Sequence, residues 1–335
     1  MGAGSLTDVP GVRVGHATDA IGLTGCTVVL CEKGAVGGVD VRGAASGTRE
    51  LAALEPGHVA PVVHAVVLAG GSAFGLDAAG GVMRYLEERG VGLEMATARV
   101  PIVAAAILYD LGVGDPRARP DAAMGYAAAE RASRRPVAQG SVGAGTGATV
   151  GKLFGVANAS RGGLGSASIR LDAGVVVGAL VVANPYGEVV DPRSGKILAG
   201  ARRPSARGFV AMSQYLLHRD GRVSRRRPPA GGHTTLAVVA ANVRLDKTEA
   251  RMVARVGHDG LARTIRPAHT MLDGDTVFCL ALGGQRADVD RVAIAAVASI
   301  EVATVRAVLA ARRRPRRGTE RWSLGSRYSG GGRSR

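Results

Sequence analysis

Residues 230–242 read Ala230-Gly231-Gly232-His233-Thr234-Thr235-Leu236-Ala237-Val238-Val239-Ala240-Ala241-Asn242. A glycine pair runs through His233 to two threonines, which open an apolar run of strand length. A continuous apolar run bounded by turn residues reads as a strand buried on both faces. Thr234 is therefore expected at the mouth of a central strand, with a loose cut site just before it. A threonine hydroxyl is a poor nucleophile unless a base adjoins it, and one available base is the residue's own α-amino group. That amine titrates near pH ~7.7–8.0, so at neutral pH a useful fraction can accept the hydroxyl proton. The arrangement exists only once the His233–Thr234 bond is broken. The simpler reading is a β-branched pair starting a strand, and the hexapeptide alone favours it.

The 335-residue chain is 46% hydrophobic, enough for a large core in one big domain or two. Aromatics make up 3% while glycines number 50, so that core has to be built from closely packed Ala, Val and Leu. No run of eighteen or more uncharged apolar residues is present, and the N-terminus lacks a basic-then-apolar signal pattern, so no membrane partner is expected. Cys26, Cys31 and Cys279 are too few and too odd in number for a disulfide framework. All three lie in apolar strand-like runs and read as reduced core residues of a cytoplasmic protein.

A net charge of +16 suggests nucleic acid until it is located. Residues 202–233 carry eight Arg against one Asp, and residues 312–335 carry nine Arg against one Glu. Those two segments hold nearly all the excess, and the remaining body is close to neutral. Arg-rich segments with Gly, Ser and Pro are solvated, and nothing on the body forms a basic reading face.

In order, 11–17, 25–31, 39–41 and 61–69 read as strands. Gly70-Gly71-Ser72 then opens a helix to about residue 89, with Ser72 as its N-cap. The strand, Gly-Gly-Ser and helix are similar to a hydrolase nucleophile elbow, but Phe74 occupies the last glycine position of G-x-S-x-G. An apolar run 100–110 ends on Tyr109-Asp110, where the tyrosine is either core or site. A helix over 120–134 follows. The glycine-rich 140–152 fails the phosphate-loop pattern, since Thr146 replaces the first glycine and Leu153 the hydroxyl residue. It serves instead as a loop where backbone approaches closely. Lys152, one of four lysines beside 39 arginines, is either a surface residue or a wanted ammonium.

Strands over 165–171 and 174–183 end at Asn184-Pro185, where Asn184, exposed at the tip, is either a turn residue or an amide donor to an oxyanion. The basic 202–233 interrupts the fold as a loop with a short helix over 209–217. After the Thr234 strand, Asp246 and Glu249 form a capping box for a helix reaching about residue 265. Asp273-Gly274-Asp275 then leads into an apolar strand over 276–282, and a last helix spans about 287–311. Parallel strands joined by a helix start at the same end, so Thr234 and the two aspartates are expected as neighbours. At i and i+2 both carboxylates face one side of an extended chain. They could orient an N-terminal ammonium, or simply make a turn.

Ile107-Leu108-Tyr109-Asp110, Gly151-Lys152, Val182-Ala183-Asn184-Pro185, Gly232-His233-Thr234-Thr235 and His269-Thr270-Met271-Leu272-Asp273-Gly274-Asp275-Thr276 agree in order and spacing with one family. Together they resemble the DmpA-like self-processing N-terminal-nucleophile aminopeptidases and amidases, closest to the nylon-oligomer (6-aminohexanoate-oligomer) hydrolase branch. The likeness runs nearly the whole chain, up to about Arg312.

It implies an α/β fold, a four-layer αββα sandwich, in which 1–201 and 234–311 form one hydrolase domain. Residues 202–233 are then a processing linker and 312–335 an Arg-rich disordered tail. Carried over, Thr234 is the nucleophile and its freed amine the base, with self-cleavage between His233 and Thr234. Asp273 and Asp275 orient and polarise that amine, Asn184 donates to the oxyanion, Lys152 supports the nucleophile, and Tyr109 lines the site beside the scissile amide. The family mostly has Asn or Gly where His233 stands, which bears on the rate of self-cleavage.

The resemblance implies no cofactor and no metal, assembly of processed pairs into a tetramer, and a small peptide or amide-oligomer substrate. Family members act on α-peptides, β-peptides, D-amino-acid amides and linear aminohexanoate oligomers. Two alternatives stand beside it: an acetyl transferase of the ornithine acetyltransferase type, and a basic nucleic-acid-associated binding protein.

Overall fold

The apolar run after Thr234 is a strand, and its alternation sorts the residues into two cores. Leu236, Val238 and Ala240 face one, while Ala237, Val239, Ala241 and Val243 face the other. Period-two alternation puts neighbours on opposite faces, so a run apolar on both faces belongs to a layer covered on both sides. The computed structural model describes residues 4–204, 207–218 and 233–312.

Its chain runs β1 (Arg13–Asp19), β2 (Thr24–Gly43), β3 (Thr48–Arg49), β4 (Val63–Ala69), α1 (Ala78–Glu87), β5 (Val103–Ile107) and α2 (Ala122–Glu130). It continues β6 (Gly163–Arg170), β7 (Val176–Asn184), α3 (Met212–Leu217), β8 (Thr234–Val243), α4 (Lys247–Thr264), β9 (Gly274–Gln285) and α5 (Val289–Arg312). The strands hydrogen-bond in the order β6-β7-β8-β9-β2-β4-β5-β3, with β1 on β2.

Three cores show how this array folds into layers. Leu236, Val238, Leu180 and Phe278 meet Val66, Leu68, Ala104 and Ala106 between the two halves of the array. Ala237, Val239, Val277 and Cys279 pack beneath α4 and α5 through Val253, Ala254, Leu261 and Ile300. Val28, Leu30, Val67 and Ala105 pack beneath α1 and α2 through Val82, Leu86 and Ala128. Helices, sheet, sheet, helices is the expected four-layer αββα sandwich. The apolar helix α5 has the length and hydropathy of a membrane span, and most of that stretch is buried inside the fold.

The sequence suggested separate strands at 25–31 and 39–41, and the structure corrects this. They are one strand, β2, whose first half pairs with β4 and whose second half pairs with β9, passing from one sheet to the other. The β4 pairing is interrupted between Leu30 and Ala35, where Gly34 adopts φ +84°. Farther along, a Cβ on Gly38 would stand 2.3 Å from the α4 backbone at Ala250, so only glycine lets strand and helix approach there.

A second correction concerns Ser72. It caps no helix: a short 3-10 stretch, Ser72–Asp77, precedes α1, and Ser72 itself has φ +56°. The turn is held by the Asp110 carboxylate, which accepts the Gly71 N–H at 2.7 Å.

The capping box at α4 is present in both directions, Glu249 N–H to Asp246 and Asp246 N–H to Glu249, each at 2.8 Å. With α4 as the crossover, β8 and β9 run parallel. Within the basic 202–233 segment, α3 packs on the body, with Met212 buried beside Tyr186 and Ala201. The Gly231-Gly232 pair expected to be loose, the rest of 219–232 in the expected processing linker, and 313–335, the expected disordered tail, lie outside the described residues.

Candidate active site

Three strand ends converge on the His233–Thr234 peptide. Across β7 and β8, Asn184 lies opposite Thr234. On the other side, His233 bridges to Asp273 just before β9 begins. The parallel register of β8 and β9 brings both starts to one end, as the strand–helix–strand reading expected.

The peptide is gripped rather than loose. Thr234 is 1% exposed and His233 7%, so the peptide expected to be a loose cut site is buried. The His233 N–H donates to the Leu272 carbonyl at 2.9 Å, and its own carbonyl accepts the Gly274 N–H at 2.9 Å. The same carbonyl oxygen accepts the Thr234 hydroxyl at 2.5 Å. A nucleophile candidate and a fixed backbone donor therefore meet on the carbonyl that precedes it.

The two aspartates are pinned on both oxygens. Asp275 Oδ1 accepts the Thr235 N–H at 2.6 Å. Its Oδ2 accepts the His269 N–H at 3.2 Å and bonds His269 Nδ1 at 2.7 Å. Asp273 Oδ1 accepts the Tyr186 N–H at 3.0 Å, and its Oδ2 accepts the Thr270 N–H at 3.1 Å and hydroxyl at 2.5 Å. Burial, and then the neighbouring Asp275 charge, push the Asp273 carboxyl above its ordinary range.

Lys152 and Asn184 are buried, where the sequence had left a surface lysine and an exposed strand tip open. Lys152 Nζ donates to the carbonyls of Thr149 (2.7 Å), Asn184 (2.8 Å) and Pro185 (3.2 Å). Burial pulls the lysine down to about 7, against the opposing pull of Asp273 and Asp275. Three carbonyls match the three N–H bonds of an ammonium, so the cradle fits the charged form.

Asn184 accepts the Thr149 N–H at 2.9 Å, and its Nδ2 donates to the Tyr109 carbonyl at 3.2 Å. Tyr109 thus joins the cluster through its main chain. One amide hydrogen of Asn184 is committed there and the second is the one available to an oxyanion. The His233 ring lies 5.3 Å from the Tyr186 ring, and burial together with the Lys152 charge lowers its pKa to about 3.

Thr234, His233, Asn184, Lys152, Asp273 and Asp275 are therefore one cluster drawn from separate segments. The sequence reading missed Tyr186, Thr149 and Gly274, which act through backbone N–H groups that no residue type advertises. His269 and Thr270 stand inside the motif already singled out. Their signal was position within six residues of the aspartates, and no role had been attached to them. Among the described residues, no group of three or more His, Cys, Asp or Glu side chains is placed to hold a metal ion.

A family model described as Peptidase family S58 matches residues 4–321. An uncharacterized aminopeptidase of Mycobacterium leprae is 44% identical over 304 residues, covering 84% of this chain and 80% of the relative. A 6-aminohexanoate-oligomer endohydrolase of a Kocuria species is 36% identical over 277 residues, covering 82% of this chain and 73% of the relative. The L-aminopeptidase D-Ala-esterase/amidase of Ochrobactrum anthropi, described as a variant of the Ntn hydrolase fold, superposes with a TM-score of 0.68. It is 20% identical, over 92% of this chain and 86% of that one, a likeness of fold. These matches lend no support to the acetyl-transferase or nucleic-acid-binding alternatives.

Proposed function

The chain belongs to peptidase family S58 and is a hydrolase, and on that premise we propose that it cuts itself before Thr234 and then hydrolyses amides with the Thr234 hydroxyl. The single observation that carries this reading is the buried His233 carbonyl, which accepts the Thr234 hydroxyl and the Gly274 N–H together. In self-cleavage, Thr234 Oγ1 bonds the His233 carbonyl carbon, the C–N bond breaks, and the hydroxyl proton ends on the Thr234 nitrogen. Charge that develops on the carbonyl oxygen falls on the Gly274 N–H. Water then hydrolyses the ester, leaving a carboxylate on His233 and a free amine and hydroxyl on Thr234.

In the second reaction that amine takes the hydroxyl proton while Oγ1 attacks a substrate carbonyl. Asn184 offers its remaining amide hydrogen to the oxyanion, and the proton passes to the leaving amine. Water hydrolyses the acyl-threonine. Asp273 and Asp275 hold the amine's surroundings negative, which alone would make it too proton-loving for a base. The Lys152 ammonium opposes that charge. Tyr109 lines the substrate side, next to the Asn184 donor.

Supported by the names of its relatives, the substrate proposed is a short peptide or a linear amide oligomer such as 6-aminohexanoate units. The proposal includes assembly of processed pairs into a tetramer, which rests on the family resemblance alone. A cytoplasmic setting is supported by three buried free cysteines.

Purified protein should run as fragments 1–233 and 234–335, the smaller beginning Thr-Thr-Leu-Ala on Edman degradation. Thr234→Ala should stay one chain and lose amide turnover. A panel of amino-acid anilides beside aminohexanoate dimers and trimers identifies the acyl group accepted. A fully active preparation containing only intact chain would overturn the mechanism.

A further inference from the structure

His269 is unusual in three respects at once. Its backbone sits at φ +56°, a region that residues other than glycine seldom occupy. From there both its N–H and its imidazole reach one atom, Asp275 Oδ2. Its ring stacks edge-on against His258 at 4.8 Å and 76°, and His258 in turn bonds the Asp40 carbonyl at 3.0 Å. Strained backbone of this kind persists only where its surroundings over-determine it.

The torsion that spins an aspartate carboxylate is soft, so a carboxylate keeps one orientation only if both oxygens are held. In Asp275, Oδ1 is on the Thr235 N–H, and among the described residues the hydrogen bonds to Oδ2 come from His269 alone. Thr235 follows the residue proposed as nucleophile. Thr235 and Thr234 are paired across the sheet with Ala183 and Asn184, and the Asp275 bond adds a side-chain anchor at this same strand start.

We infer that His269 is a positioning residue for the amide-hydrolysing reaction, locking the Asp275 carboxylate so that Asp275 can hold the strand start that bears the nucleophile. The inference rests on the Thr234 reading above. The stack behind it, His258 with Asp40 and Arg42, limits how far the imidazole can turn, since the Asp40 carboxylate is itself held by Arg42 at 3.1 Å.

The test compares cleaved wild type with His269→Ala and His269→Asn, measuring kcat and KM per cleaved molecule together with melting temperature, and measures turnover of the intact Thr234→Ala chain per folded molecule. His269→Ala should lower kcat by about 10–100-fold, the usual range for losing a group that orients a site residue, with KM nearly unchanged. His269→Asn keeps an N–H within reach of Asp275 and should stay within a few-fold of wild type. Because the His269 side chain is 17% exposed, added imidazole should restore part of the His269→Ala rate. Wild-type kcat in His269→Ala, or a loss that neither asparagine nor imidazole repairs, would overturn the inference. If the alanine variant does not fold, His269→Asn decides alone: native melting with kcat down more than 100-fold overturns it. Activity in Thr234→Ala would instead overturn the nucleophile, so the two failures are distinguishable.

Discussion

Ser72 and Thr234 occupy comparable places. Each is a hydroxyl residue at a strand end, after glycines in sequence, with a buried carboxylate close by. At Ser72 the carboxylate is Asp110, whose oxygens accept the Gly71 N–H at 2.7 Å and the Thr24 hydroxyl at 2.7 Å. The Ser72 N–H goes to the Leu108 carbonyl at 3.0 Å. Every one of these bonds holds a turn together, and burial raises the Asp110 carboxyl above its usual range. At Thr234, two carboxylates, a buried ammonium and an amide come from three other stretches of chain. The hydroxyl is shared by both regions and decides nothing. Opposite charges kept in a dry place are what distinguish them, because there each charge acts on its neighbours far more strongly than it would in water.

The sharpest way to break this comparison is to neutralise the carboxylates. Asp275→Asn and Asp273→Asn keep size and shape, and each should cut turnover per cleaved molecule by about 10²–10³-fold, in the range of losing a preorganised electrostatic group. The double mutant should lose less than the product of the two, since both act on one group. Measuring the pH dependence of turnover checks the cause. An unchanged rate and profile in both mutants would make Asp-Gly-Asp a turn and nothing more.

The other region should respond in the opposite currency. Asp110→Ala strands the Gly71 N–H and the Thr24 hydroxyl, at about 1–3 kcal/mol for each buried group left without a partner. Thermal melting should fall while turnover per folded molecule stays level. Ser72→Ala should move neither. Loss of turnover in Ser72→Ala with a native melt would show that the turn does chemistry after all.

The smallest effect concerns Glu188, a buried carboxylate that accepts the Met212 N–H at 3.1 Å on each oxygen. Burial pushes it up to about 7 from its ordinary 4.5. A folded-state value above the unfolded one means the fold binds the proton more tightly. Its stabilising contribution is therefore full below about 4.5 and is lost as pH rises through 7. Relative to wild type, Glu188→Gln should gain about 1–2 kcal/mol between melts at pH 5 and pH 8, after allowing for water near the carboxylate. Equal shifts at both pH values would mean that Glu188 does not titrate there.

Much of this was legible locally. The apolar runs marked β8 and β9, and the Asp246–Glu249 spacing marked the start of α4, because periodicity and capping depend only on a residue's near neighbours. The strand–helix–strand order then put Thr234 beside Asp273 and Asp275, because parallel strands joined by a helix start at the same end.

Other features needed the whole fold. The merger of 25–31 and 39–41 into one strand depends on β4 pairing with its first half, as far as Ala35, and β9 with its second, from Val36 on. Lys152 and Asn184 look like surface residues until the chain returns over them. Whether a polar side chain is buried is set by what packs on it from distant segments, and no local pattern carries that information. For the same reason the grip of His269 on Asp275 was hidden. The motif placed the two residues six apart, but only the left-handed backbone at His269 turns both its N–H and its ring onto one oxygen.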